Sequence, residues 1–211
     1  MSAVTDWEAW HQEYTDPGSP LSERLRIIQA HIDAWLDATA GPVSVVSACP
    51  GDGRDLLGVL ERRPDAHRVS ATLIESDAHS AQRAAAHADR LDLPAIDVRC
   101  TDAGSTSAYV EAVPADLVLL CGIFGNIPDG DIYTTIAALA QFCSPQALVL
   151  WTRHRKDPDL TPHIRTWFGG FAFDEVDFTA PEHAWYSVGV HRFTGAPEPL
   201  RPEQHLFTFF R

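Results

Sequence analysis

The chain has 211 residues, of which 45% are hydrophobic and 21% are charged, so it is long enough for one globular domain with a full core. Its formal net charge of −13 disfavours a nucleic-acid partner, and no apolar run approaches the roughly 20 residues that cross a membrane. The four cysteines lack C-x-x-C spacing and the ten histidines show no metal-binding spacing, so no metal site is expected.

The first forty residues are predicted to form a helical cap ahead of the main domain. Segments 5–14 and 20–39 have helical patterning, and the turn sequence DPGSP separates them. The sequence therefore predicts a cap over 1–40 and a ligand-binding domain over 41–211. The amino-terminal stretch lacks the basic and apolar regions of a signal peptide, so a cytoplasmic location is expected.

Short β-rich runs and longer, often Ala-rich, segments alternate from the start of the main domain. Predicted strands cover 43–49, 69–75, 95–100, 115–121 and 147–152, and predicted helices cover 52–63, 77–91, 105–112 and 129–142. About five such alternations predict a parallel sheet with right-handed crossovers, which is the doubly wound α/β class.

The end of the chain has a different pattern. The β-like runs 173–180 and 184–193 have only a few residues between them, so no helix fits there and an antiparallel pair is predicted. A third β-like run, 204–211, is predicted to add a further edge strand.

Three strand ends carry residues that suit an adenosine-containing ligand. Gly51 and Gly53 give a bare turn after the first strand, where backbone can approach a ligand closely. Glu75 ends the second strand and can accept hydrogen bonds from a ribose diol. Asp102 follows the third strand and can accept one from an adenine amino group, or cap the next short helix.

These segments resemble the class I S-adenosylmethionine-dependent methyltransferases over about residues 43–193. The resemblance rests on the motifs SACPGDG, LIESD, CTDA and ADLVLLCGIFGNIP. It implies a Rossmann-like, seven-stranded sheet with an antiparallel last strand, in a three-layer α/β/α arrangement to which the amino-terminal helices are added. It also implies S-adenosylmethionine as the cofactor, and we expect the acceptor to be a small molecule.

The residues expected to bind the cofactor follow the first four strands. They are Cys49, Pro50, Gly51, Asp52, Gly53, Glu75, Ser76, Asp102, Ala103, Cys121, Gly122 and Phe124. In the family an acidic residue precedes three alternating glycines and helps to hold the methionine amino group. Here Ser47 stands at the acidic position and Cys49 at the first glycine, so Asp52 is a candidate replacement.

The run TRHRKD follows the fifth predicted strand and therefore lies on the ligand side of the sheet. It is either a solvated loop or an anion clamp, with Arg153 binding the substrate and His154 acting as general base for a hydroxyl acceptor. Tyr14 and Asn126 are further substrate-binding candidates. The amino-terminal helices and segment 152–170 are expected to form the acceptor pocket.

Two other functions remain open from the sequence. The serine at position 47 suggests a protein that binds S-adenosylmethionine or S-adenosylhomocysteine without catalysis. The G-x-G of the first turn also suggests an NAD(P)-dependent oxidoreductase, but Leu56 replaces the third glycine that a dinucleotide site needs.

Overall fold

The computed structural model describes residues 16–210, so the predicted helix 5–14 and Tyr14 lie outside the described residues. The strands are β1 (Val43–Ala48), β2 (Val69–Glu75), β3 (Ile96–Cys100), β4 (Ala115–Leu120), β5 (Cys143–His154), β6 (Phe173–Thr179) and β7 (Tyr186–Phe193). The α-helices are α1 (Pro20–Ala38), α2 (Arg54–Leu60), α3 (Ala78–Arg90), α4 (Asp129–Ala138) and α5 (Thr161–Gly170). Short 3₁₀ helices cover Ala66–Arg68, Thr106–Tyr109 and Leu139–Gln141.

All seven strands form one sheet in the order β3-β2-β1-β4-β5-β7-β6. Strands β1 to β5 are parallel to one another, and β7 pairs antiparallel with both β5 and β6. The predicted fold, a doubly wound seven-stranded sheet with an antiparallel last strand, is confirmed. Because β1 to β5 run the same way, their carboxyl ends meet at one edge, which we call the carboxyl edge.

Helices cover both faces of the sheet, as alternate residues of the central strands show. Leu117 of β4 packs in one apolar cluster with residues of α1, α2 and α3. Val118, its neighbour, packs in a second cluster with residues of α4 and α5. Both side chains are fully buried. This double coverage explains why β4 reads as a continuous apolar run and not as an alternating one.

Helix α1 lies on the sheet, although its sequence was assigned to the predicted cap. Ser19 caps its first turn by accepting a hydrogen bond from the Ser22 backbone at 3.1 Å. Ile28, Ile32 and Leu36 recur at helical spacing, are at most 1% exposed, and belong to the same cluster as β1. The division of the chain at residue 40 stays a prediction.

The predicted edge strand at 204–211 is wrong for the residues that the structure describes. Residues 204–210 contain no strand and make a single antiparallel bridge, between Ser105 and His205. The segment crosses the carboxyl edge and does not extend the sheet. Four of its residues, Leu206, Phe207, Phe209 and Phe210, are apolar and make the run β-like, but two of them, Leu206 and Phe207, are buried against that edge.

Helix α5 was not predicted, and it occupies the second half of the segment 152–170. Its sequence starts with Thr161 followed by Pro162, and proline is well tolerated in a first helical turn. Ile164 and Phe168 face the sheet and are fully buried. Half of the expected acceptor-pocket segment therefore contributes a core helix.

Gly189 of β7 is required by the packing of Trp151, which is fully buried and stacks on Phe168 with ring centroids 6.0 Å apart. A methyl group on Gly189 would overlap the indole ring. We expect Gly189→Ala to lower the free energy of unfolding by roughly 2 kcal/mol, because overpacking in a core costs that much. Urea denaturation measures the loss. Gly169→Ala is the matched control, since its added methyl meets no atom within 4 Å. Equal stabilities of the two variants would contradict the prediction.

Candidate functional site

A cavity opens at the carboxyl edge, beside the ends of β1, β2 and β4. Eight of the residues predicted to bind the cofactor line it: Cys49, Pro50, Gly51, Asp52, Glu75, Ser76, Cys121 and Gly122. Ligands in open α/β sheets bind outside the carboxyl ends of the strands, where the strand order reverses. In this sheet the reversal lies between β1 and β4, so the cavity lies at the expected place.

The turn after β1 alternates between left-handed and ordinary backbone. Cys49, Gly51 and Gly53 have φ angles of 52°, 61° and 80°. These are the three positions that are glycine in the family that the sequence resembles. Cys49 holds this conformation without being glycine, which costs a non-glycine residue about 1–2 kcal/mol. The turn is closed by the Gly53 backbone, which donates to the Pro50 carbonyl at 3.0 Å.

Glu75 ends β2 with its carboxylate turned toward this turn. Oε2 accepts a hydrogen bond from the Gly51 backbone at 2.9 Å, and Oε1 accepts one from the Asp77 backbone at 2.9 Å. Burial raises the pKa of Glu75, while both backbone hydrogen bonds lower it. Each carboxylate oxygen has a second lone pair. Glu75 can therefore fix the turn and still accept hydrogen bonds from a ligand diol.

Two arginines and two aspartates line another part of the cavity. Arg54 and Asp52 form a two-pronged ion pair, with nitrogen–oxygen distances of 2.7 and 2.8 Å. Arg24 of α1 and the half-buried Asp55 of α2 also line this part of the cavity. Burial raises the pKa of Asp55, and the charge of Arg24 counteracts this effect. The cavity thus offers both signs of charge within one small region.

Phe209 and Phe210 also line the cavity and, like Asp77 and Ser80, were not among the predicted site residues. They come from the end of the chain, more than 80 residues after the last predicted cofactor-binding residue. Neither residue sits in a motif, so no local pattern in the sequence places them at this edge.

The other four predicted cofactor-binding residues lie outside the lining. Gly53 packs beneath the turn against Leu57. Asp102 accepts a hydrogen bond from the Gly104 backbone at 2.8 Å, so it shapes its own turn. Ala103 is 2% exposed, and Phe124 is fully buried in the core beside Trp151.

Arg153 and Asn126, predicted to bind substrate, hold the loop after β4 instead of lining the cavity. The Asn126 amide donates to the Gly122 carbonyl at 2.7 Å. The buried Arg153 guanidinium donates to the Phe124 carbonyl and lies 3.5 Å from Asp129. Both side chains are therefore engaged in contacts that hold this loop.

His154 lies at the end of β5 beside Gly125, outside the lining of the cavity. Its Nδ1 accepts a hydrogen bond from the Lys156 backbone at 3.3 Å. Burial lowers the pKa of His154, and the charges of Arg153 and Lys156 lower it further. The lowered pKa favours the neutral imidazole.

Residues 16–210 contain neither a membrane-spanning helix nor a group of metal ligands. None of the helices in this range has the length and apolar character needed to cross a bilayer. Within the same residues, no three His, Cys, Asp or Glu side chains group as metal ligands.

The comparisons with solved structures agree on the fold. An O-methyltransferase family protein from Burkholderia thailandensis matches with a TM-score of 0.64 and 14% identity, over 84% of this chain and 57% of its own. The magnesium protoporphyrin IX methyltransferase of Synechocystis PCC 6803, solved with bound S-adenosylmethionine, matches with a TM-score of 0.64 and 13% identity, over 90% of this chain and 92% of its own.

The chain has the fold of the class I S-adenosylmethionine-dependent methyltransferases. No protein-family model matches the sequence, and no curated protein matches it either. The cyclase SpnF also shares the fold, with a TM-score of 0.61 and 13% identity over 81% of this chain and 80% of its own. A shared fold does not fix the reaction, so the function has to be argued from the cavity.

Proposed function

We propose that this chain is an S-adenosylmethionine-dependent methyltransferase that acts on a small-molecule acceptor. One observation carries the proposal: the cavity combines a ribose acceptor with a region of paired charges. Glu75 supplies carboxylate lone pairs beside the glycine turn. Arg24 and Asp55 supply a cation and an anion that match the zwitterionic amino-acid end of the cofactor. These donors and acceptors fit S-adenosylmethionine.

The proposal also includes a replacement for the acidic residue that the family has where this chain has Ser47. An acidic residue at that position would hold an amino group, and Asp52 is the nearest replacement in sequence. Asp52, however, is already bound by Arg54. We therefore propose Asp55, which lines the cavity together with Arg24, as the carboxylate that holds the amino group.

In this proposal the protein's residues mainly bind and orient the two reactants. When bound, S-adenosylmethionine supplies a methyl group that its sulfonium has already activated. The protein must hold the reactants in line and exclude water. The lowered pKa of His154 favours its neutral form and the residue lies at the carboxyl edge, so it is the candidate base for a hydroxyl acceptor. An acceptor amine that is already neutral needs no base.

A nicotinamide oxidoreductase is disfavoured by the topology. Dinucleotide-binding sheets of this type have the strand order 3-2-1-4-5-6 with parallel strands. Here β7 is inserted antiparallel between β5 and β6. A non-catalytic cofactor-binding protein is the remaining alternative, and the experiment below separates it from an enzyme.

The small-molecule acceptor and the cytoplasmic location belong to the same proposal. A net charge of −13 repels nucleic-acid backbones. Four free cysteines suit a reducing compartment.

Calorimetric titration with S-adenosylhomocysteine tests the proposal directly. We expect a dissociation constant on the order of micromolar for the purified protein and no heat of binding with NADH. Gly51→Val is expected to bind more weakly, because valine is strained at a φ of 61°. Binding of NADH alone would support an oxidoreductase instead. Binding of S-adenosylhomocysteine without methyl transfer to any compound of a broad acceptor panel would support a non-catalytic protein.

A further inference from the structure

The last described residues form a segment that we call the C-terminal strap, residues 204–210. Its first half is fixed to the turn that follows β3. The Thr106 backbone donates to the Gln204 carbonyl at 3.0 Å, and the Gln204 backbone donates to the Thr106 hydroxyl at 2.9 Å. The Leu206 backbone donates to the Gly104 carbonyl at 2.7 Å. These hydrogen bonds fix the position of the strap at this end.

The second half of the strap is fixed to the loop and helix that follow β4. The Thr208 backbone donates to the Asp131 carboxylate at 3.0 Å. The Phe210 backbone donates to the Asn126 carbonyl at 2.9 Å. The strap therefore crosses the carboxyl edge from the end of β3 to the end of β4, over the ends of the strands that border the cavity.

The aromatic side chains of the strap divide into an anchor and a wall. Phe207 is 2% exposed and anchors the strap in the core. Phe209 is half-buried, and Phe210 is 65% exposed, yet both line the cavity. Among the described residues that line it, these two are the only aromatic ones. A flat apolar ligand surface would cover the exposed ring of Phe210 and gain stacking energy.

We infer that Phe209 and Phe210 form an aromatic wall against which the purine base of the cofactor packs. The inference rests on the proposed function and adds a base-binding element that lies outside the glycine turn and the strand ends. The ribose hydroxyls and the amino-acid end are polar and have Glu75, Arg24 and Asp55 as partners. The base is the one flat aromatic surface of the cofactor, and the strap supplies the matching surface.

Phe210→Ala is the first test, read by calorimetric titration with S-adenosylhomocysteine. We expect the dissociation constant to rise about tenfold, since base–aromatic stacking is typically of that strength. The thermal midpoint of the free protein is expected to stay unchanged, because the ring is largely exposed before ligand binds. 5′-Methylthioadenosine, which keeps the base but lacks the amino-acid end, is expected to lose affinity by the same factor. Trp185→Ala removes another exposed aromatic side chain, 67% exposed and outside the cavity, and is the matched control.

Gly104→Ala tests the strap without changing a residue of the lining. A methyl group on Gly104 would overlap the backbone carbonyl of Phe207, so the strap must shift. We expect weaker binding of both nucleosides, with Gly169→Ala as the control. Unchanged affinity in both Phe210→Ala and Gly104→Ala, with a wild-type protein that binds, would overturn the aromatic wall alone. A wild-type protein that binds neither nucleoside would instead overturn the proposed function, and the wall with it.

Discussion

Replacing Glu75 with Gln is expected to raise the dissociation constant for S-adenosylhomocysteine about 100-fold, because a lost hydrogen bond to a charged group costs roughly 1.5–3 kcal/mol. The carboxylate oxygens already accept from the Gly51 and Asp77 backbones. An amide side chain keeps one acceptor and places a donor against the other backbone N–H. The variant therefore loses both a ribose acceptor and the contact that positions the turn.

The pH dependence of binding shows how much of the Glu75 contribution to affinity comes from its negative charge and how much from the shape of its side chain. Burial raises the pKa of this carboxyl above 4.5, so protonation begins at a higher pH than in an exposed glutamate. Wild-type affinity is expected to fall as the pH is lowered through that pKa, because the protonated group has less capacity to accept. Glu75→Gln is expected to lack this part of the pH dependence. Calorimetric titrations at several pH values measure it.

Glu61→Gln is the control for this experiment, since Glu61 has a largely exposed side chain and does not line the cavity. Circular dichroism of each variant confirms that it is folded. Equal affinities for wild-type protein and a folded Glu75→Gln variant would show that Glu75 only stabilises the turn. The ribose contact would then have to be made elsewhere.

The strand-end residues of the site were predictable because of the geometry of a parallel sheet. Once β1, β2 and β4 are identified, their carboxyl ends must meet at one edge, whatever the helices do. Residues next to those ends, such as Gly51, Glu75 and Gly122, therefore fall into the cavity. Asp102 and Phe124 also follow strands, but their side chains turn into a local hydrogen bond and the core. A residue's position just after a strand therefore predicts that it lies at the carboxyl edge. It does not predict which way its side chain points.

The remaining site residues could not be predicted from local sequence. Arg24 lies on a helix whose contact with the site depends on how α1 packs against the sheet. Phe209 and Phe210 reach the cavity because Phe207 is anchored and the strap is tied to Gly104 and Asn126. These contacts join segments more than 80 residues apart. A short run rich in phenylalanine indicates an extended chain, and it does not say whether that chain pairs with a sheet edge or crosses it.

The charged pair Arg24 and Asp55 gives the second prediction with a large expected effect. We expect Asp55→Asn and Arg24→Gln each to raise the dissociation constant for S-adenosylhomocysteine by about 100-fold, because each removes a charged partner of the ligand's amino-acid end and a hydrogen bond to a charged group is worth roughly 1.5–3 kcal/mol. The affinity for 5′-methylthioadenosine is expected to stay unchanged, since that ligand has no amino-acid end. Calorimetric titration gives the affinity for S-adenosylhomocysteine divided by that for 5′-methylthioadenosine. This ratio isolates what Arg24 and Asp55 contribute to binding the amino-acid end.

Asp52→Asn is the matched control, because it neutralises a neighbouring carboxylate of the same cavity that Arg54 already binds. If Asp55 replaces the acidic residue missing at position 47, Asp55→Asn lowers the affinity for S-adenosylhomocysteine relative to that for 5′-methylthioadenosine. Asp52→Asn then barely changes this ratio. A larger change in Asp52→Asn would assign the amino group to Asp52, as its place in the first motif suggests. A parallel loss of both ligands in Asp55→Asn would mean that this carboxylate supports the fold of the site. The experiment therefore decides which of two carboxylates, three residues apart, took over the role of the acidic residue that is absent from the end of β1.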